Sequence, residues 1–166
     1  MKYLSIIFIF LISAFLSAIL NFYGNGWQYL QPFLIAVLLI YFNVDNIWIY
    51  YIFAFVSGLF IDSFSSVFGL QTFIFLFIIW ILKNLQLTIF TSKNILTIIL
   101  LSLFAFLFFY FGVWLISWLS TWELYVFDIP KLWPILKMTG LSMLTFISAH
   151  LLYYNLWLKK HERQSF

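Results

Sequence analysis

Charge is so scarce along this chain that water cannot be its only solvent. Lys, Arg, Asp and Glu together supply 8% of its 166 residues, against about a quarter in an ordinary soluble domain. Hydrophobic residues reach 66% and aromatics 25%, with a mean hydropathy of +1.10. A soluble protein of this size needs far more polar side chains to cover its surface. An integral membrane protein fits. The length holds about six spans of roughly 20 residues with their loops, so one all-α membrane domain takes up residues 1–166.

Six apolar stretches separate along the sequence, at about 3–22, 30–42, 47–61, 68–82, 95–119 and 138–158. The first follows Lys2 and imitates a secretory signal. Its apolar run is long for a signal core and Asn21-Phe22-Tyr23-Gly24 is a poor cleavage site, so it reads as a retained span. The second stretch carries Pro32 near its start and is short for a crossing. It reads as a helix that its neighbours bury, or as a re-entrant one. Asn43-Val44-Asp45-Asn46 and Asp62-Ser63-Phe64-Ser65-Ser66 are turn signals.

Placing the N-terminus in the cytoplasm puts Lys2, Lys83, Lys93, Lys159, Lys160 and Arg163 on one side. Only Lys131 and Lys137 fall opposite, and the positive-inside rule then sets both termini of this multi-pass protein in the cytoplasm. Trp27, Trp48, Trp118, Trp122 and Trp133 lie near predicted span ends, at the depth that amphipathic indoles prefer. Residues 121–137 form the longest connection containing polar groups. Pro130 and Pro134 argue against a long regular helix there, which leaves a segment lying in the interface or docking a partner. The basic tail around Lys159-Lys160 suits anionic lipid.

Chemistry-bearing groups are few. Cysteine is absent, which removes disulfides, thiolate metal sites and a cysteine nucleophile. Asp45 and Asp62 stand at opposite ends of the third stretch, about 25 Å apart at helical rise, too far to share a proton. His150 has no second His or Cys at metal spacing and reads as an interhelical hydrogen-bonding group. The surplus of eight Lys and Arg over five Asp and Glu is not clustered as a nucleic-acid face requires. The residues therefore give no catalytic site, no metal site and no cofactor site, and the expectation is a non-enzyme.

The hairpin Gly58-Leu-Phe-Ile-Asp62, Ser63–Ser66, Gly69-Leu-Gln71 is the most informative segment. Asp62 has three readings: a helix-end carboxylate in headgroup water, a cap on the following helix, or a group that orients a partner. Gly58 lets two helices approach closely, and Gly69 is expected to let the next helix start tightly against the third.

At this hairpin the sequence resembles the rod shape-determining protein MreD family. The resemblance rests on Pro32-Phe-Leu-Ile, the polar turn Asn43–Asn46, Gly58-Leu-Phe-Ile-Asp62 and Gly69-Leu70. It departs from the family pattern at Ser65-Ser66-Val67, where Gly, Thr or Pro is usual. The resemblance implies a non-enzymatic subunit of the cell-elongation machinery, located in the bacterial cytoplasmic (inner) membrane, that binds the single-span protein MreC. Through MreC it would reach the MreB filament, RodA and a class B penicillin-binding protein that organise peptidoglycan synthesis. Pro32, Gly58, Asp62, Gly69, Trp122 and Trp133 are the structural and interaction candidates. The family fold resembles the six-helix S-components of energy-coupling-factor vitamin transporters, which supplies the alternative function. Its polar groups would be Gln71, Thr72, Asn84, Ser102, Ser117, Thr145, Ser148 and His150, a thin set for a vitamin site.

Overall fold

A computed structural model describes residues 2–23, 30–65, 68–88, 94–121 and 129–153. They form six helices: α1 (Lys2–Tyr23), α2 (Pro32–Asn43), α3 (Ile47–Asp62), α4 (Leu70–Thr88), α5 (Ile95–Thr121) and α6 (Ile129–Tyr153). No strand occurs among the described residues.

Local chemistry sets several of these limits. Pro32 occupies the first turn of α2, where its missing N–H is no loss and its fixed φ suits a helix. Asn46 caps α3, its side chain accepting from the Trp48 N–H at 3.0 Å, as an Asn at this position should. Ser63 closes α3, its N–H and hydroxyl both donating to the Leu59 carbonyl at 3.0 and 2.8 Å.

The architecture is arranged around α2, which packs against each of the other five helices. Pro32, Phe33, Leu34, Ala36, Val37, Leu38, Ile40 and Tyr41 are all buried, so the helix is covered almost all round, as its short apolar stretch suggested. At 12 residues it is about 18 Å long, well short of the roughly 30 Å hydrocarbon core of a bilayer. α3 and α4 make the most extensive helix pair. Phe10 of α1 meets Phe33 and Phe60 edge-on with ring centroids 5.5 Å apart in each case, tying α1, α2 and α3 together.

The other five helices turn large apolar side chains outward: Phe15 on α1, Ile52 on α3, Phe73 on α4, Phe111 on α5 and Leu144 on α6 are exposed. Leu70–Thr88 and Ile95–Leu115 are long and apolar enough to cross a membrane, and only 33% of each is buried inside the fold. The core helix of a soluble protein would be mostly covered.

The expected boundaries need two corrections. α4 runs to Thr88 rather than residue 82; its polar last turns stay helical, with Asn84 and Thr88 donating to carbonyls four residues back. α6 starts at Ile129, not near residue 138, and passes through both Pro130 and Pro134. Pro130 sits in the first turn, where N–H groups have no helical partner anyway. Pro134 costs one hydrogen bond there, and the helix continues. Segment 121–137 is therefore largely the start of α6. Residues 122–128, with Trp122, lie outside the described residues; Trp133 lies on α6.

Candidate functional site

The α3–α4 hairpin is held by Asp62. This residue ends α3, yet it is only 1% exposed, and both carboxylate oxygens point at the opening turn of α4. Oδ1 accepts from the Gln71 N–H at 2.9 Å. Oδ2 accepts from the Thr72 N–H at 3.0 Å and from the Thr72 hydroxyl at 2.6 Å. The first N–H groups of any helix lack partners within it, and here a carboxylate from the preceding helix provides them. Such charge-assisted bonds are short and strong. The positive end of the α4 dipole favours the anion further.

Of the three readings of Asp62, exposure to headgroup water is overturned by its burial, and capping of α4 is what the geometry shows. The cap comes from Asp62 rather than from the neighbouring serines. Ser63 bonds back to Leu59 and Ser65 to the Asp62 carbonyl at 3.3 Å.

Gly58 completes the arrangement one turn earlier on α3. A Cβ at this position would fall on the Cα of Thr72 and lie 2.7 Å from its N and 2.9 Å from its Oγ1. The α3 backbone therefore lies directly against the residue whose N–H and hydroxyl Asp62 binds. Gly58 and Asp62 share one face of α3 at i, i+4, which is why the motif spaces them so.

Gly69 has a different cause from the one expected. A Cβ there would meet nothing within 4 Å, so close approach is not its reason. Its φ of +89° is a conformation that L side chains rarely adopt, and glycine is required to turn the chain into α4.

Next to the hairpin is a small polar cavity of about 120 Å³, lined in part by Ser17, Gln31, Pro32 and Gln71. The Gln71 Oε1 is buried without a protein partner. The cavity has room for about four waters at roughly 30 Å³ each, which can satisfy that oxygen.

At the other end of the bundle, polar side chains link α2 to its neighbours. The Tyr41 hydroxyl donates to Gln86 Oε1 on α4 at 2.7 Å. Asn43 Nδ2 lies 3.2 Å from His150 Nδ1 on α6, so His150 makes the interhelical contact expected of it. Sequence reasoning missed Tyr41 and Gln86 because they are 45 residues apart and belong to no motif.

Among the described residues, several polar side chains that a vitamin site would need are engaged elsewhere. Thr72 is engaged by Asp62, while Asn84, Ser102 and Thr145 donate to carbonyls of their own helices. The side chain of Ser117 lies outside the described residues. Among the described residues no group of three or more His, Cys, Asp or Glu comes together.

Comparison with known proteins gives one family. The model of the family described as rod shape-determining protein MreD matches residues 1–155. No curated protein and no solved structure matches the chain.

Proposed function

The chain belongs to the rod shape-determining protein MreD family, and on that premise we propose that it is a non-enzymatic, multi-pass subunit of the bacterial cell-elongation complex that acts by binding an MreC-like single-span protein. The family is one of membrane proteins that determine rod shape. The match over residues 1–155 is the observation that carries the reading. Through the MreC-like partner it would connect to MreB, RodA and a class B penicillin-binding protein and so help to organise peptidoglycan synthesis. The six-to-two bias of Lys and Arg supports cytoplasmic termini. Reporter fusions at the C-terminus and within 121–137 giving signals on the same side would rule that orientation out.

The hairpin is a poor contact surface in this scheme, because Asp62 is buried and its oxygens are occupied. A recess of about 650 Å³ between α1, α2 and α6 suits a partner helix better. It is apolar, with Ser5, Ser13, Ala36 and Ala149 among its lining residues. Small residues let helix backbones approach in lipid, where packing rather than hydrophobicity drives association.

The deciding experiment is co-purification with the MreC-like protein in mild detergent. The wild-type chain should retain the partner, and Ala149→Trp, which fills the recess, should cut the yield severalfold. Undiminished yield from Ala149→Trp would remove the recess from the interface; no partner with the wild type would remove the reading itself. The S-component alternative calls for an externally open pocket of about 300 Å³ or more with converging polar groups. The polar cavity beside Gln71, at the Asp62 end of the bundle, measures about 120 Å³, and the polar recess of about 320 Å³ around Lys83 is at the cytoplasmic end in this orientation.

A further inference from the structure

At the end of the bundle away from Asp62, α6 is tied to the last residue of α2 by a contact whose direction the geometry fixes. Asn43 Nδ2 lies 2.7 Å from the Leu39 carbonyl oxygen and 3.2 Å from His150 Nδ1. A carbonyl only accepts hydrogen bonds, so the Asn43 group that faces it is the N–H₂. Turning the amide over would set two oxygens against each other, and it is this kind of network that tells amide oxygen from nitrogen. One hydrogen of Nδ2 goes to Leu39 and the other points at the imidazole. His150 Nδ1 is therefore the acceptor, and the ring carries its proton on Nε2.

Two aromatic neighbours hold the ring in this pose. It stacks on Phe146 of its own helix, with centroids 6.0 Å apart, and meets Phe42 of α2 edge-on at 6.4 Å. A proton added at Nδ1 would turn the acceptor into a donor and set N–H against N–H₂.

His150 is the group at this junction that titrates near neutrality. On α2 the ionisable side chain is Tyr41, whose hydroxyl is bonded to Gln86, and Asp45 follows in the turn. Tyr110 is the one ionisable residue in the sequence of α5. On α6, Tyr153 is one turn on, while Lys131 and Lys137 are several turns away. Lys2 and Tyr3 open α1. Ordinary carboxyl groups titrate near about 4, and phenols and ammonium groups near about 10. The junction also borders the recess between α1, α2 and α6, whose lining includes Leu39 and Ala149. The first of these holds Asn43 and the second precedes His150.

We infer that Asn43 and His150 form a proton-sensitive latch, closed while His150 is neutral, that fixes α6 against α2 and with it the wall of that recess. The latch is closed well above about pH 6.5, the ordinary imidazole value, and opens on acidification. It belongs to the chain alone and holds whatever occupies the recess.

The test uses the purified chain in mild detergent, in a His161→Gln background that leaves His150 as its one imidazole. Long-range proton–nitrogen NMR of protein carrying isotope-labelled histidine should report the Nε2–H tautomer at about pH 8. Unfolding by SDS should lie about fivefold further toward the unfolded state at about pH 5 than at about pH 8, the worth of one hydrogen bond. His150→Phe keeps a ring beside Phe42 and Phe146 and should abolish that shift. Asn43→Asp offers a carboxylate, which only an Nδ1–H can meet, so it should switch the tautomer and remove or reverse the acid shift. An Nδ1–H tautomer in the parent protein would overturn the latch, and that measurement needs no change at either residue. An acid shift that persists in His150→Phe would overturn it too, placing the titrating group elsewhere. A tautomer and acid shift in Asn43→Asp equal to the parent's would overturn Asn43 as the partner.

Discussion

The two ends of the bundle treat charge in opposite ways. At one end Asp62 is buried, and three donors of α4 saturate it. At the other, Lys83 is half-buried in a recess that it shares with Tyr41, Asp45, Tyr50 and Gln86. A charge whose hydrogen bonds are all made within the fold adds rigidity and offers nothing to a visitor. A long cationic side chain at a half-open recess can keep its head in water and adds less rigidity. The first end, to which the sequence motif drew the eye, is therefore architecture, and the second is the more open of the two.

The largest test of this contrast is Gly58→Leu. A side chain there must displace the backbone of Thr72, so the variant should fail to accumulate as a folded monomer, read by detergent-resistant folding or size exclusion. A well-folded variant would mean that α3 and α4 do not meet as described.

Asp62→Ala should come next, with a loss of roughly 3 kcal/mol, since each hydrogen bond to a charged acceptor contributes about 1.5–3 kcal/mol. Thermal unfolding in detergent measures it, and a loss below about 1 kcal/mol would return Asp62 to the role of an exposed helix end.

Gly69→Ala should cost about 1 kcal/mol through its left-handed backbone alone, because no neighbour resists the new methyl. Lys83→Gln should leave stability within about 0.5 kcal/mol. A large loss of stability there would erase the distinction between the two ends.

Much of the fold is readable in advance because apolar runs and turn residues are local signals. The helices α1, α2 and α3 lie within a residue or two of the expected stretches. The misses are physical. α4 outlasts its apolar run because helicity tolerates Lys83, Asn84 and Gln86 where hydropathy does not. α6 begins early because a proline in a first turn does not break a helix.

Asp62 was legible as a possible cap, but its burial was not. The acceptor lies nine residues before the donor Gln71, and how deep it sits depends on how tightly the hairpin closes. The Lys83 pocket was not legible at all, since its lining comes from three helices and the turn between two of them.

The short central helix has a consequence for biogenesis. A helix of 12 residues, about 18 Å long, does not make a stable crossing alone. In lipid its apolar surface gains nothing from water exclusion and must be matched by packing. The translocon therefore has no independent span to release at residues 32–43, and α2 reaches its final depth only as the surrounding helices close on it. A chain cut after residue 46 would leave that segment open to aqueous labelling, while the complete bundle would protect it. For this membrane protein, insertion and tertiary folding merge at α2 into a single late step.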